Sequence, residues 1–323
     1  MGVGPAASVA AKPPGRTGGR RGSGSRAEAI AGYSFVSIPM LLFLILNIGA
    51  ILYAVYISVW DWNIRSGPVK LVGLDNYTRL LNDEVFQTGI KNTLYYTAIW
   101  VPLTMAAGLF LAVIVNAKIR GRTFFRAAFY FPAIASSAAI TTLWIFIVQP
   151  NGLFNQVRGA IGLNPLFEFF GFIAKQNWMG DQDTALQSVI LLNTWTTSGT
   201  FMLFYLASLQ TISREVYEAA AIDGANAWQT FWRVTFPLLR PGHYFVATVA
   251  VIGGLQLFDQ ALIGGGVNGD PNNALMTTVL FIYNASFKRF DFSLAAAAGV
   301  ILFVVILTAT LVQRRLFGQA PSW

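Results

Sequence analysis

The sequence predicts an all-α, polytopic membrane protein of six transmembrane helices with both termini cytoplasmic. Three observations lead there. Of 323 residues, 55% are hydrophobic and only 11% charged, whereas about a quarter are charged in a soluble domain. The apolar residues gather into six stretches near 35–59, 93–115, 127–148, 186–209, 244–263 and 294–312, each close to the roughly 20 helical residues that cross a hydrocarbon core. The Lys and Arg residues lie between these stretches and are unevenly shared. With the N-terminus inside, 14 of the 22 fall on cytoplasmic segments, as the positive-inside rule asks.

The same composition excludes several functions. Widespread disorder needs low hydrophobicity and high charge, the reverse of what is seen. There is no cysteine, so a disulfide scaffold, a thiolate metal site and a cysteine nucleophile are excluded. One histidine, His243, builds neither a zinc motif nor a Ser–His catalytic pair inside the membrane. No metal site is expected. A net charge of +8 fits either nucleic acid or a cytoplasmic membrane surface. The basic residues flank apolar spans instead of forming one face, so the partner expected of them is membrane lipid and not nucleic acid.

In chain order, residues 1–27 are rich in Gly, Pro, Ser and Arg without apolar periodicity and read as a disordered basic cytoplasmic tail. Residues 28–318 read as one membrane domain carrying the six spans, and 319–323 as a short C-terminal tail. The most informative segment joins the fourth and fifth spans: Ser213–Pro241, SREVYEAAAIDGANAWQTFWRVTFPLLRP. Ser213 suits an N-cap, and Glu215 suits the positive end of a helix dipole. Glu218-Ala219-Ala220-Ala221 continue the helix, and Gly224 can adopt the left-handed turn that ends it. Asn226 and Gln229 make a capping-box pattern for a second short helix. Trp228, Phe231 and Trp232 share one face of that helix, and Pro237 is expected to interrupt it. On the residues alone, this helix–turn–helix serves equally as an amphipathic hairpin on the bilayer or as a docking element for another protein.

Within the spans, polar residues stand out. Asp259 is the one acidic residue inside a span; a carboxylate at a helix centre costs about 2.5–3.5 kcal/mol on insertion scales, so it should face protein or water. Gln256 precedes it by one turn, and Gly253-Gly254 permit close packing. In the fourth span Asn193, Thr196, Thr197 and Thr200 recur at helical spacing beside Trp195, and Ser136-Ser137 follow Pro132 in the third. Amide and hydroxyl groups beside an aromatic face suit a polyhydroxylated solute. The same groups also serve as hydrogen-bonding links between helices.

The spacing of Glu218-Ala219-Ala220, Gly224, Val234, Phe236 and Pro237 resembles the EAA loop of binding-protein-dependent ABC importer permeases. That pattern is EAA, three residues, G, nine residues, then I-x-L-P, with Val234 and Phe236 here as apolar replacements. Trp60-Asp61-Trp62, Gly73-Leu74-Asp75-Asn76-Tyr77, Asn92-Thr93, Gly152-Leu153-Phe154-Asn155, Tyr217 and Asp223-Gly224-Ala225 extend the resemblance over about residues 30–316. They are similar to the carbohydrate-importer permeases, and among these to the first of the two permease subunits. The run from Gly264-Gly265-Gly266 to Pro271 departs from that family's Gly-Gly-Pro.

The resemblance implies a permease in a bacterial cytoplasmic membrane that forms half of the path for a sugar. It implies a second homologous permease, a cytoplasmic ABC ATPase dimer and an extracytoplasmic sugar-binding protein as partners. Glu218, Ala219, Ala220, Asp223, Gly224 and Pro237 would then belong to the ATPase-coupling loop. The sugar path would draw on the mid-span residues Ser137, Asn193, Thr196, Thr197, Gln256 and Asp259. No Gly-x-x-x-x-Gly-Lys-[Ser/Thr] occurs, and no lysine follows a glycine, so this chain has no P-loop for ATP. ATP and Mg²⁺ are expected on the partner ATPase subunits, with no cofactor in this chain and no catalysis by it. The competing reading is an autonomous secondary transporter or channel, which usually shows inverted repeats and several intramembrane ionisable groups. Neither is evident here.

Overall fold

The computed structural model describes residues 2, 26–117 and 121–317. Most of the expected N-terminal tail, the C-terminal tail 319–323, and the basic residues Lys118 and Arg120 lie outside them. The chain divides into two compact units, Met1–Leu52 and Tyr53–Trp323. The described part of the first unit is helical: α1 (Arg26–Phe43) passes through a π turn at Leu44–Gly49 into α2 (Ala50–Ser58), whose end belongs to the second unit.

The second unit continues with a hairpin of β1 (Trp60–Asn63) and β2 (Gly67–Leu71), then α3 (Asp75–Leu81), α4 (Glu84–Asn116), α5 (Arg122–Ile134) and α6 (Ser137–Val148). The short helices α7 (Leu153–Ala160) and α8 (Asn164–Phe169) precede α9 (Ala185–Leu209). Next come α10 (Arg214–Ile222), α11 (Ala227–Thr230), α12 (Phe236–Leu238) and α13 (Arg240–Leu255). The chain finishes with α14 (Asp259–Gly265), α15 (Thr278–Phe287) and α16 (Phe292–Phe317). Among the described residues, five helices are long and apolar enough to cross a membrane, or six if α5 and α6 are one bent span.

The centre is the α4–α9 pair. Its close approach depends on Gly108, where a Cβ would lie 2.7 Å from that of Phe201. Helices in lipid gain no hydrophobic drive from meeting each other, so small residues and polar links hold them together. Here Asn193 Nδ2 donates to Tyr96 Oη at 2.7 Å, and Thr104 Oγ1 donates to Thr194 Oγ1 at 3.3 Å. Gly254 also brings α13 close to α4, where a Cβ would lie 3.0 Å from the Thr97 side chain.

Two expected spans are broken. The stretch 127–148 is not one helix: α5 and α6 meet at 96°. Pro132 offers no N–H to the turn before it, and Ala135 then takes extended backbone with φ −67° and ψ 149°. The stretch 244–263 unwinds at residues 256–258, between α13 and α14. Backbone freed within a membrane span needs new partners, and the buried Thr277 Oγ1 supplies one by donating to the Leu257 carbonyl at 2.8 Å.

The connections at the helix ends away from Ser213–Pro241 carry structure that hydropathy did not predict. Asn76, buried after the hairpin, donates to the carbonyls of Ser58 and Trp60 at 2.9 and 3.0 Å. Asn155 likewise reaches Gln149 and Gln176, and it accepts from Trp178 Nε1. Asn92 holds the last connection through the carbonyls of Asn273 and Met276, both at 3.0 Å. These are three of the motif asparagines, and each closes a loop.

Candidate functional site

Two features of the second unit stand out, a polar cavity within the helices and the exposed hairpin α10–α11. The cavity, about 360 Å³, lies where α4, α9 and the α13–α14 break meet. The break matters because it frees Gln256 and Asp259 from a continuous helical face. Four sequence-singled residues line this cavity together: Asn193, Thr197, Gln256 and Asp259. Asp259 is its one charged side chain, and no Lys or Arg lines it.

Two singled residues lie elsewhere. Thr196 is outside the lining, and its hydroxyl donates back to the Asn193 carbonyl at 3.3 Å. Ser137 is one step removed, accepting at 3.0 Å from the lining residue Gln260 through Nε2. That bond joins the start of α6 to α14, so the two broken spans touch at their breaks. Trp195 does not supply the cavity's aromatic face. It is absent from the lining and stacks on Trp144 with ring centroids 6.4 Å apart.

The aromatic face comes instead from Tyr96 and Trp100 on α4, stacked at 5.5 Å with an interplanar angle of 15°. Trp100 is buried, and its Nε1 has no hydrogen-bond partner among the described residues. Sequence reasoning missed this pair, as it missed Gln260. The available signal was an aromatic pair four residues apart, each with a polar atom, inside an apolar span. Among the described residues, no group of three or more His, Asp or Glu side chains is arranged to hold a metal.

The hairpin is built by local chemistry. α10 ends at Gly224, whose φ of +76° is the left-handed region glycine tolerates best. The Ala225 N–H returns to the Ala220 carbonyl and the Gly224 N–H to that of Ala221, which closes the helix end. Asn226 and Gln229 form a complete capping box, with bonds of 2.9 and 3.0 Å. Ser213 does sit at the N-cap of α10, but its hydroxyl accepts no helix N–H.

Pro237 does not interrupt the second helix as expected. A π turn over Phe231–Thr235 widens the spiral ahead of it, and α12 then carries Pro237 in its first turn. Such a turn can accommodate the missing donor. Glu218, Ala219, Asp223, Gly224 and Pro237 are exposed, whereas Ala220 is buried. Glu218 Oε1 pairs with Arg214 Nε at 2.8 Å, and Ile222 is 86% exposed beside them.

Residues 104–319 match the family described as "Binding-protein-dependent transport system inner membrane component". The chain belongs to that family. Its relatives include the arabinooligosaccharides transport system permease protein AraP of Bacillus subtilis, 33% identical over 90% of this chain and 89% of that one. The lactose transport system permease protein LacF of Rhizobium radiobacter is 34% identical, over 90% and 94%. The multiple sugar-binding transport system permease protein MsmF of Streptococcus mutans is 32% identical, over 88% and 94%. A chain of a bacterial ABC transporter involved in importing the acidic polysaccharide alginate superposes with a TM-score of 0.76. It matches 92% of this permease and 98% of its own length at 20% identity, which shows a shared fold. The permease is thus a multi-pass membrane component of a transport system and not an enzyme in its own right.

Proposed function

We propose that the permease forms half of the path by which a sugar enters a bacterial cell, with a second homologous permease forming the other half. An extracytoplasmic binding protein delivers the sugar, and a cytoplasmic ABC ATPase dimer docks on the α10–α11 hairpin. The observation that carries the reading is the meeting of Asn193, Thr197, Gln256 and Asp259 with the Tyr96–Trp100 stack in one cavity. Amides, a hydroxyl and a carboxylate bind sugar hydroxyls, and the buried Tyr96–Trp100 stack backs them with an aromatic wall. The relatives' names point the same way, toward arabinooligosaccharides, lactose and multiple sugars. A second solved chain with this fold comes from the alginate transporter in complex with an alginate pentasaccharide-bound periplasmic protein.

The electrostatics of the cavity favour a neutral sugar. Its lining holds the acidic side chain of Asp259 and no Lys or Arg, so it offers no cation to pair with an acidic saccharide. ATP and Mg²⁺ belong on the ATPase subunits, because this chain carries no P-loop. The orientation that puts 14 of 22 Lys and Arg inside also puts the hairpin on the cytoplasmic side. Closure of the ATPase dimer then presses on the hairpin, and the helices that wall the cavity open alternately to each side.

The hairpin assignment is tested with Gly224→Pro and Glu218→Lys in the complete complex. Proline cannot take the positive φ of position 224, and the lysine reverses the charge presented by α10. Sugar uptake should fall about tenfold or more, while membrane insertion stays normal. Sugar-stimulated ATPase activity left unchanged by both variants would contradict docking at the hairpin.

A further inference from the structure

We propose that His243 is the joint that fastens the cytoplasmic hairpin to α9 and α13, two of the helices walling the cavity, as a positioning residue that touches no solute. The proposal rests on the hairpin reading above. His243 is the one histidine of the chain, and it is buried in the first turn of α13. Its Nε2 lies 3.2 Å from the Phe236 carbonyl on α12, at the end of the hairpin segment. Its Nδ1 lies 3.1 Å from Tyr205 Oη on α9.

The partners dictate the roles. A carbonyl only accepts, so Nε2 carries the hydrogen, and in the neutral ring Nδ1 is then an acceptor. Tyr205 must therefore donate to Nδ1. One imidazole links three elements: it belongs to α13, donates to α12 and accepts from α9.

The ring packing continues the chain of contacts outward. Phe236 lies 4.5 Å from the His243 ring, and Trp232 lies 5.1 Å from Phe236. Trp228 lies a further 5.6 Å along, on α11. Gly242 keeps the junction tight, since a Cβ there would come within 2.5 Å of Ser208 Oγ on α9. Both attached helices lead to the cavity. α9 carries Asn193 twelve residues before Tyr205, about 18 Å along a rigid helix. α13 ends at Leu255, directly before the lining residue Gln256. A displacement of the hairpin reaches the α9 and α13 walls of the cavity through this ring.

The alternative is that His243 merely fills space, and a phenylalanine would fill it as well. Glutamine distinguishes the two, because its amide can donate to the Phe236 carbonyl while its carbonyl accepts from Tyr205. The experiment uses the complete complex with its ATPases and binding protein in proteoliposomes, and reads sugar taken up per ATP hydrolysed. His243→Phe should lower that ratio about tenfold at a normal yield of assembled complex, and His243→Gln should restore it close to wild type. Tyr205→Phe, which removes one hydroxyl and no bulk, should lower the ratio in the same direction. It decides the matter if His243→Phe does not assemble. An unchanged ratio in assembled His243→Phe, or in Tyr205→Phe, overturns the joint. If Gly224→Pro uncouples the same complex while these variants do not, the hairpin reading stands and the joint alone fails. If Gly224→Pro is also silent, the hairpin reading has failed first.

Discussion

Asn193 and Thr197 occupy positions one turn apart on α9, and both meet the cavity, whereas Thr196 between them does not. A stripe of polar residues on a membrane helix can bind solute or tie helices together, and spacing alone does not separate these uses. Asn193 has a place in both, since it lines the cavity and bonds Tyr96. Replacing it should therefore affect transport and stability together. Thr197→Val has no such bond to lose, so it isolates the first role. Thr197→Val and Asn193→Ala should each reduce sugar uptake by about fivefold to tenfold, the value of roughly one hydrogen bond, with little change in basal ATPase activity. If neither variant alters the sugar dependence of transport, the stripe serves helix packing alone. The charged member of the set was legible as an outlier among apolar residues. Tyr96 and Trp100 were not, because an aromatic in a greasy helix looks like any other core residue until its neighbours are known.

At the scale of elements, the helices were legible where one physical rule governs. α4, α9 and α16 are long, apolar and uninterrupted, and hydropathy found them within a few residues except at the start of α4, where the helix begins at Glu84 before the apolar run. The hairpin was legible because glycine and the capping box act locally, and both formed. The two breaks were not legible. Pro132 and Gly253-Gly254 permit a break, but tertiary partners decide whether it occurs, here through Thr277 and the Gln260–Ser137 bond. Pro237 shows the converse, a helix breaker absorbed by a π turn. Close packing of α4 on α9 makes its own prediction. Gly108→Val forces a branched side chain into Phe201 and should destabilise the permease by about 1–3 kcal/mol, the usual penalty for overpacking. Thermal unfolding of the detergent-solubilised complex reads this directly. An unchanged midpoint would mean that α4 and α9 are not pressed together at Gly108.

Across the whole molecule, the charges separate into two kinds of work. On the side away from the hairpin, Asp83 and Asp291 each use one carboxylate oxygen to cap a helix and the other to hold an arginine. Asp83 caps α4 through Val85 and Phe86 and lies 3.5 Å from Arg289. Asp291 accepts from Leu294 N–H in α16 and pairs with Arg79 at 3.0 Å. Such partly exposed pairs contribute modestly, but they cross-connect the starts of α4 and α16 with α3 and the end of α15. On the hairpin side charged and apolar groups alike are exposed, Ile222 and Trp228 among them. The composition that announced a membrane protein thus also isolated the few polar islands, and one of them carries the coupling assignment.

The central claim is that this chain transports sugar only as part of an ATP-driven complex. The direct measurement is sugar uptake into proteoliposomes that hold either this chain alone or the chain with its second permease, ATPase dimer and binding protein. Uptake is predicted only in the complete set, and only with ATP present. Uptake by the chain alone, driven by a sugar or ion gradient, would contradict the account and establish an autonomous transporter.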